Sequence, residues 1–153
     1  MEANIYYLEQ LAKEINILMT NKCYLSAVNN AMVLLDSMTK ANNFPYAKSK
    51  ESDRFVHFCD DCLHSKSEIG LTGDELYSIR NFMFHEGCMN LNTKKTVLKS
   101  INFYINEGYI HSNTIYNNGF ANIDVITFVK IIMDYFQNNK SKLNMAKIAF
   151  ICA

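Results

Sequence analysis

The stretch from Thr72 to Gly87 constrains the fold most, because it carries both the start signal and the stop signal of one helix. Thr72 precedes Glu75 by three residues, which is the spacing of a capping box, where each side chain bonds the backbone N–H of the other residue. Gly87 can adopt the left-handed conformation that commonly closes a helix. The pattern predicts a helix that begins at Gly73 and ends near Glu86.

Little of this predicted helix can face water, since apolar side chains cover most of its circumference at about 100° per residue. They are Leu76, Tyr77, Ile79, Phe82, Met83 and Phe84. A narrow polar strip carries Ser78, Asn81 and His85, and Arg80 lies on the aromatic side. Arg80 and His85 are about 140° apart on an ideal helix. We therefore expect a second chain to supply the rest of any site that uses both residues.

The sequence Arg80-Asn81-Phe-Met-Phe-His85 resembles the signature of the HEPN superfamily, which is an Arg, a polar residue and then a His four to six residues after the Arg. The resemblance implies that the motif lies on a helix of a small helical bundle and that two protomers pair so that their motifs meet. Many members are metal-independent RNases, which implies catalytic roles for Arg80 and His85 and an orienting role for Asn81. In the toxin subgroup paired with nucleotidyltransferase antitoxins, a Tyr stands two residues after the His. Gly87 occupies that position here, so control by modification of that Tyr is not expected.

Two functions from different classes follow from this resemblance. The first is a HEPN-like endoribonuclease, a toxin or defence protein that cleaves RNA to a 2′,3′-cyclic phosphate and a 5′-hydroxyl without a metal or cofactor. An antitoxin or another regulatory protein would then be a partner. The alternative is a HEPN-like binding or dimerisation module without catalysis. A purely structural interpretation is also open, in which Arg80 pairs with Asp74 or with a carboxylate of a neighbouring helix, and His85 bonds Asn81 and caps the helix end.

Length and charge further limit the number of domains and the kinds of binding that this chain can support. The 153 residues are enough for one domain, 1–153, and too few to argue for two. The 15 Lys and Arg residues balance 15 Asp and Glu residues, so no general basic field holds nucleic acid, and any RNA binding must come from a local site. No segment approaches the roughly 18 apolar residues of a membrane span. The first residues lack the features of a secretion signal, which predicts a cytoplasmic protein.

The cysteines indicate thiols rather than a disulfide scaffold or a metal centre. Their odd number and scattered spacing favour the reduced state: Cys23, Cys59, Cys62, Cys88 and Cys152. The segment from His57 to His64 resembles half of a zinc site, because it also contains Cys59 and Cys62. On an α-helix, however, the two His share one side and the two Cys another. We expect buried core thiols and no metal site here.

Three amphipathic segments precede the motif helix. The first spans residues 3–20 and the second runs from Leu25 to about Ala41, and the short link between them makes the two helices antiparallel neighbours. The apolar face of the second helix is Leu25, Val28, Ala31, Met32, Leu35 and Met38. A loop containing Pro45 follows, and Ser52 is expected to cap a third helix that extends to about His64.

After residue 90 the pattern changes to alternation, with Ile101, Phe103 and Ile105 separated by polar or aromatic residues, which favours a strand. Glu107-Gly108 is expected to form a turn after this strand. A second strand over 109–116 and a tight hairpin turn at 117–119 complete the prediction of a small antiparallel β-hairpin. Asp124 or Asn122 then caps a last helix that ends near Asn139. Its expected inward face is Val125, Phe128, Val129, Ile132, Met133 and Phe136. The structure of the tail, about 140–153, is left open.

Together these elements predict a mainly α protein: a small HEPN-like bundle of about five helices with an antiparallel β-hairpin inserted before the last helix. The apolar circumference of the motif helix requires cover on most of its faces. The other helices of the same chain can supply that cover. A second copy can also do so, through a two-fold interface that brings the Asn81 and His85 strips together, and we expect this homodimer.

Overall fold

The computed structural model describes residues 5–41, 43–84, 98, 100–105, 114–117 and 120–143. The helices of these ranges are α1 (Ile5–Thr20), α2 (Tyr24–Met38), α3 (Glu51–His57), α4 (Ser65–Glu68), α5 (Gly73–Phe84) and α6 (Val125–Asn139). The strands are β1 (Ser100–Tyr104), β2 (Thr114–Asn117) and β3 (Phe120–Asp124). The prediction of a mainly helical chain with a small sheet before the last helix is confirmed. None of the helices in the described ranges is both long enough and apolar enough to cross a membrane.

Helix α2 holds the central place in the bundle. It packs against α1, α5 and α6, so more than one of its faces is buried. Leu25 departs from the prediction, because 71 % of its surface is exposed. It lies in the first turn of α2, at the end of the bundle where the chain turns back from α1. The helix also ends at Met38 rather than near Ala41.

The third helical segment is less regular than its sequence suggests. Helix α3 begins at Glu51 after Lys50, and Ser52, the expected cap, lies inside its first turn. From Phe58 to Cys62 the chain forms a π-helical turn, in which the N–H of Leu63 bonds the carbonyl of Phe58. His64 then adopts a left-handed conformation with φ of 51°, which ends the segment. The extra residue in the π turn changes the helical phase, so the α-helical spacing that was used to place the His and Cys side chains does not hold across this segment.

The start of α5 agrees with the predicted capping box. The backbone N–H of Thr72 donates to Glu75 Oε2 at 2.8 Å, and the N–H of Glu75 donates to Thr72 Oγ1 at 3.2 Å. The N–H of Gly73 donates to Asp60 Oδ1 at 2.6 Å, so a third side chain from the π turn also holds this end. A Cβ atom on Gly73 would lie 2.5 Å from the carbonyl oxygen of Val56. Only glycine therefore permits α5 to begin this close to α3.

The sheet contains three strands in the order β1-β3-β2. Strands β2 and β3 pair antiparallel around the predicted turn, whereas β1 pairs parallel with β3. Strands β1 and β2 thus run in opposite directions but do not pair with each other, so the predicted hairpin between them is wrong. The reason is the unpredicted strand β3, whose Ala121 and Ile123 are buried and which takes the centre of the sheet. The residues expected to turn between β1 and β2, 107–108, lie outside the described ranges.

Helix α6 agrees closely with its prediction. Asp124 is its N-cap, and its side chain accepts a hydrogen bond from the N–H of Thr127 at 3.3 Å. All six side chains expected to face inward are buried. The helix ends at Asn139, and a short 3-10 turn over Lys140–Lys142 follows it. The rest of the tail, 144–153, is outside the described residues.

Candidate functional site

The motif residues lie at the end of α5, apart from His85, which is outside the described residues. Among the residues of α5, only Asp74 is exposed, in agreement with the prediction that little of this helix faces water. Ser78 was expected on the polar strip but is 2 % exposed, and its hydroxyl donates to the carbonyl of Asp74 within the helix. The last turn, Asn81 to Phe84, is half-buried throughout.

Arg80 is held by carboxylates from two other helices. Its Nε donates to Asp36 Oδ1 of α2 at 3.2 Å, and its Nη2 pairs with Glu51 Oε1 at the start of α3. Its Nη1 donates to Asn81 Oδ1 at 3.1 Å, so the two adjacent motif residues are in direct contact. The pairing of Arg80 with carboxylates of neighbouring helices, which the sequence left open, is therefore present, and Asp36 and Glu51 supply them.

Aromatic rings complete the surroundings of this guanidinium. Its central carbon lies 4.7 Å from the ring centroid of Phe84 and 5.6 Å from that of Tyr77, both within cation–π range. An arginine side chain carries five N–H donors, and the three contacts above leave one N–H on each terminal nitrogen. Only 13 % of the Arg80 side chain is exposed. The group is thus fixed in orientation, and its contacts with the described residues leave two N–H donors for an anion.

Asp36 is the buried site residue that sequence reasoning missed. It lies within the apolar run of α2, between Leu35 and Ser37, and its side chain is only 7 % exposed. It pairs with Arg80 and also with Lys40, whose Nζ is 3.0 Å from Asp36 Oδ2. A buried carboxylate needs such partners, because an isolated charge is costly to remove from water. The signal in the sequence was a lone carboxylate inside an apolar face, with a lysine one turn later.

A third cation lies beside this cluster. The Nε of Arg54, on α3, donates at 3.2 Å to the hydroxyl of Thr39, a fully buried residue that follows α2. Thr39 in turn donates to the backbone carbonyl of Asp36 at 2.6 Å. Arg54 follows Glu51 by three residues, so the two side chains lie on the same face of α3. Lys40, Arg54 and Arg80 therefore converge where the end of α2, the first turns of α3 and the end of α5 meet.

The segment from His57 to His64, which contains two cysteines and two histidines, has a structural role in the described geometry. Burial raises the pKa of the Cys59 thiol well above its ordinary value, and the nearby carboxylates of Asp60 and Asp36 act in the same direction. Burial and Asp61 also raise the pKa of Cys62. A raised pKa disfavours the thiolate that binds metals or acts as a nucleophile. Cys59 is fully buried in the core, as predicted, and Cys62 is partly exposed.

The two histidines of this segment are engaged elsewhere. His57 stacks on Tyr46 with ring centroids 4.0 Å apart, and its Nδ1 is 3.8 Å from Asp61 Oδ2. His64 is exposed beyond the π turn. In the ranges that the structure describes, no three His, Cys, Asp or Glu side chains are placed to hold a metal ion together. The described geometry gives this segment packing contacts and, through Asp60, a role in capping α5.

Comparison with known proteins adds no relative to these observations. No protein-family model, no curated protein and no solved structure matches this chain.

Proposed function

We propose that this chain is a HEPN-like, metal-independent endoribonuclease that acts in the cytoplasm as a homodimer. The observation that carries the proposal is the contact between Arg80 and Asn81 at the end of α5. Asp36 and Glu51 fix the guanidinium, and contacts with the described residues leave two of its N–H groups available. A catalytic arginine gains from such support, because a preorganised donor loses no further freedom when charge develops on the substrate.

In this proposal the reaction is an internal transesterification of RNA. The ribose 2′-oxygen attacks the adjacent phosphorus, the bond from phosphorus to the 5′-oxygen breaks, and a 2′,3′-cyclic phosphate and a 5′-hydroxyl result. His85 takes the proton from the 2′-hydroxyl, and the second His85 of the dimer protonates the leaving 5′-oxygen. Arg80 stabilises the charge on the phosphate, and Asn81 positions the guanidinium. No metal or cofactor enters these steps.

A second candidate is a HEPN-like binding or dimerisation module without catalysis. The specific observation in its favour is the pairing of Arg80 with two carboxylates, one of them buried, which neutralises the guanidinium in the free protein. In that case Arg80 joins α2, α3 and α5, and its replacement changes stability, assembly or partner capture with no turnover to lose.

The deciding experiment incubates the purified protein with mixed RNA in the presence of EDTA and identifies the product ends by mass spectrometry. We expect 2′,3′-cyclic phosphates and 5′-hydroxyls from the parent protein and no cleavage by the His85→Ala variant. His85→Ala is preferred to an Arg80 variant, because Arg80 also holds the fold and its loss can unfold the protein. His57→Ala is the matched control, since His57 is a partly exposed histidine stacked on Tyr46 outside the Arg80 cluster.

Two results would remove the enzyme proposal. One is the absence of cleavage by folded dimer, and the other is cleavage that survives His85→Ala. If either result is accompanied by a change in RNA or partner affinity in the His85→Ala variant, the binding module is supported instead.

A further inference from the structure

The charges around Arg80 pose a problem for any anionic ligand. Asp36 and Glu51 carry two negative charges, and Arg80 and Lys40 carry two positive charges, so these four residues are neutral together. The whole chain is also neutral in formal charge and provides no compensating field. An RNA phosphate that approaches Arg80 therefore meets no net attraction unless one carboxylate leaves or another cation takes part.

The two carboxylates differ in how easily they can leave. The side chain of Asp36 is 7 % exposed and bonded to both Arg80 and Lys40, whereas that of Glu51 is 49 % exposed. A half-exposed carboxylate is hydrated on release, so breaking its ion pair costs less free energy than removing the buried carboxylate of Asp36. Glu51 thus occupies an outer position on Arg80 that another anion can take.

Arg54 provides the missing cation. It lies on the same face of α3 as Glu51, one turn further along, and its Nε is bonded to the buried Thr39. That bond uses one of five N–H donors and no carboxylate, so within the described part of the chain the positive charge of Arg54 is not offset by an ion pair. Departure of Glu51 would free one side of the Arg80 guanidinium. Arg54 lies on the same face of α3 as Glu51, and Lys40 shares the carboxylate of Asp36 with Arg80.

We propose that Glu51 is a displaceable carboxylate that holds the phosphate position of Arg80 in the free protein, and that Arg54 and Lys40 bind the backbone of the single-stranded RNA that displaces it. The inference rests on the proposed function in taking RNA as the ligand of the Arg80 site. It assigns RNA contacts to residues outside the Arg-Asn-x3-His motif. The ligand class follows from chemistry, because converging guanidinium and ammonium groups match successive backbone phosphates.

The test measures binding of a fluorescent single-stranded 2′-O-methyl RNA by fluorescence anisotropy over a range of salt concentrations. This probe lacks the free 2′-hydroxyl that cleavage requires, so binding is measured apart from turnover. Arg54→Gln is expected to weaken binding about threefold or more and to reduce the slope of log K against log salt by about 0.7, the value for one lost phosphate contact on a single strand. Lys40→Gln is expected to act similarly, and Glu51→Gln to strengthen binding.

Two variants separate charge from structure. Arg54→Lys keeps the cation without the Thr39 contact geometry and is expected to retain the salt slope. Lys22→Gln removes a cation from an exposed residue at the opposite end of α2, about 20 Å away along the helix, and is expected to change nothing. Unfolding in urea checks that each variant is folded.

The outcomes distinguish this inference from the proposed function. Unchanged binding and salt slope in Arg54→Gln, or unchanged binding in Glu51→Gln, would overturn the inference even for a protein that cleaves RNA. The expected changes in a protein that cleaves no RNA would sustain the inference and leave only the nuclease proposal overturned.

Discussion

The two carboxylates that pair with Arg80 differ in burial, and therefore in how much each ion pair contributes to stability. Asp36 is 5 % exposed and pairs with both Arg80 and Lys40, whereas the more exposed Glu51 pairs, among the described residues, with Arg80 alone. Removing one partner of a buried ion pair leaves an uncompensated charge, which typically costs about 3 kcal/mol or more. A pair with a half-exposed carboxylate, such as Glu51 with Arg80, contributes less, on the order of 1 kcal/mol. The same arginine therefore makes two ion pairs of very different importance for stability.

This difference predicts the stability of two matched variants. Asp36→Asn is expected to lower the free energy of unfolding by about 3 kcal/mol, because Arg80 and Lys40 lose their shared buried charge. Glu51→Gln is expected to lower it by less than about 1 kcal/mol. Urea unfolding followed by circular dichroism compares them, and equal losses in the two variants would show that Asp36 is not the buried anchor of this cluster.

Tyr135 is expected to lower the free energy of unfolding as the pH rises into the alkaline range. Burial, followed by the nearby Cys62 and Glu68, raises its pKa from 10.0 to about 12. The unfolded chain therefore loses this proton first, so the stabilisation is complete below about pH 10 and is lost as pH rises toward about 12. Tyr135→Phe is expected to reduce the fall in unfolding free energy over that interval. Cys59, whose pKa is also raised, is present in both proteins and contributes equally to both pH curves. Parallel curves for the parent and the variant would contradict the prediction.

At the scale of elements, the position of α5 is set by its first residue. The Thr72 and Glu75 cap fixes where the helix begins, and the N–H of Gly73 bonds Asp60 of the π turn. The close approach of Gly73 to Val56 then places α5 against α3. Since Arg80 lies two turns further along α5 and Glu51 lies on α3, this junction controls the geometry of the candidate site.

The junction is tested by Gly73→Ala. Alanine has the higher helix propensity by about 1 kcal/mol, yet its Cβ would meet backbone atoms of Val56 at 2.5 and 2.9 Å, which cannot be relieved by a side-chain rotation. We expect a net loss of unfolding free energy of about 1–3 kcal/mol. Asp74→Ala, at the exposed next position, is expected to cost less than about 1 kcal/mol. A Gly73→Ala protein as stable as its parent in urea would show that helix propensity, and not contact with α3, governs this position.

At the scale of the whole molecule, the last turn of α5 remains half-buried within one chain. Phe82 and Phe84 are both in this state, and the Phe84 ring lies against the Arg80 guanidinium. Cover by a second copy would bring two motif helices together, as the proposed homodimer requires, and would explain why a helix with so many apolar residues ends in a partly open surface.

The dimer is tested by sedimentation velocity at micromolar concentration. The parent is expected to sediment as a dimer and Phe82→Asp as a monomer, because a charge at a self-complementary interface is repeated on both sides. Leu25→Asp is the matched control, since Leu25 is 71 % exposed in the first turn of α2 and is expected to leave the dimer intact. A monomeric parent, or a Phe82→Asp variant that remains dimeric, would exclude this interface.

The sequence by itself determined the features that depend on residues close together in the chain. The capping box at Thr72, the Asp124 cap and the buried face of α6 follow from local hydrogen bonding and helical periodicity, and all three were predicted. The contact between Arg80 and Asn81 is also local.

Only the tertiary structure decided features that join distant segments. Asp36 reaches Arg80 across 44 residues of sequence, and β3 enters the sheet between β1 and β2. No periodicity specifies which carboxylate meets which guanidinium, or which strands become neighbours, because packing of the whole core fixes those distances. The motif could therefore be found in the sequence, but the carboxylates that orient its arginine could be found only in the fold.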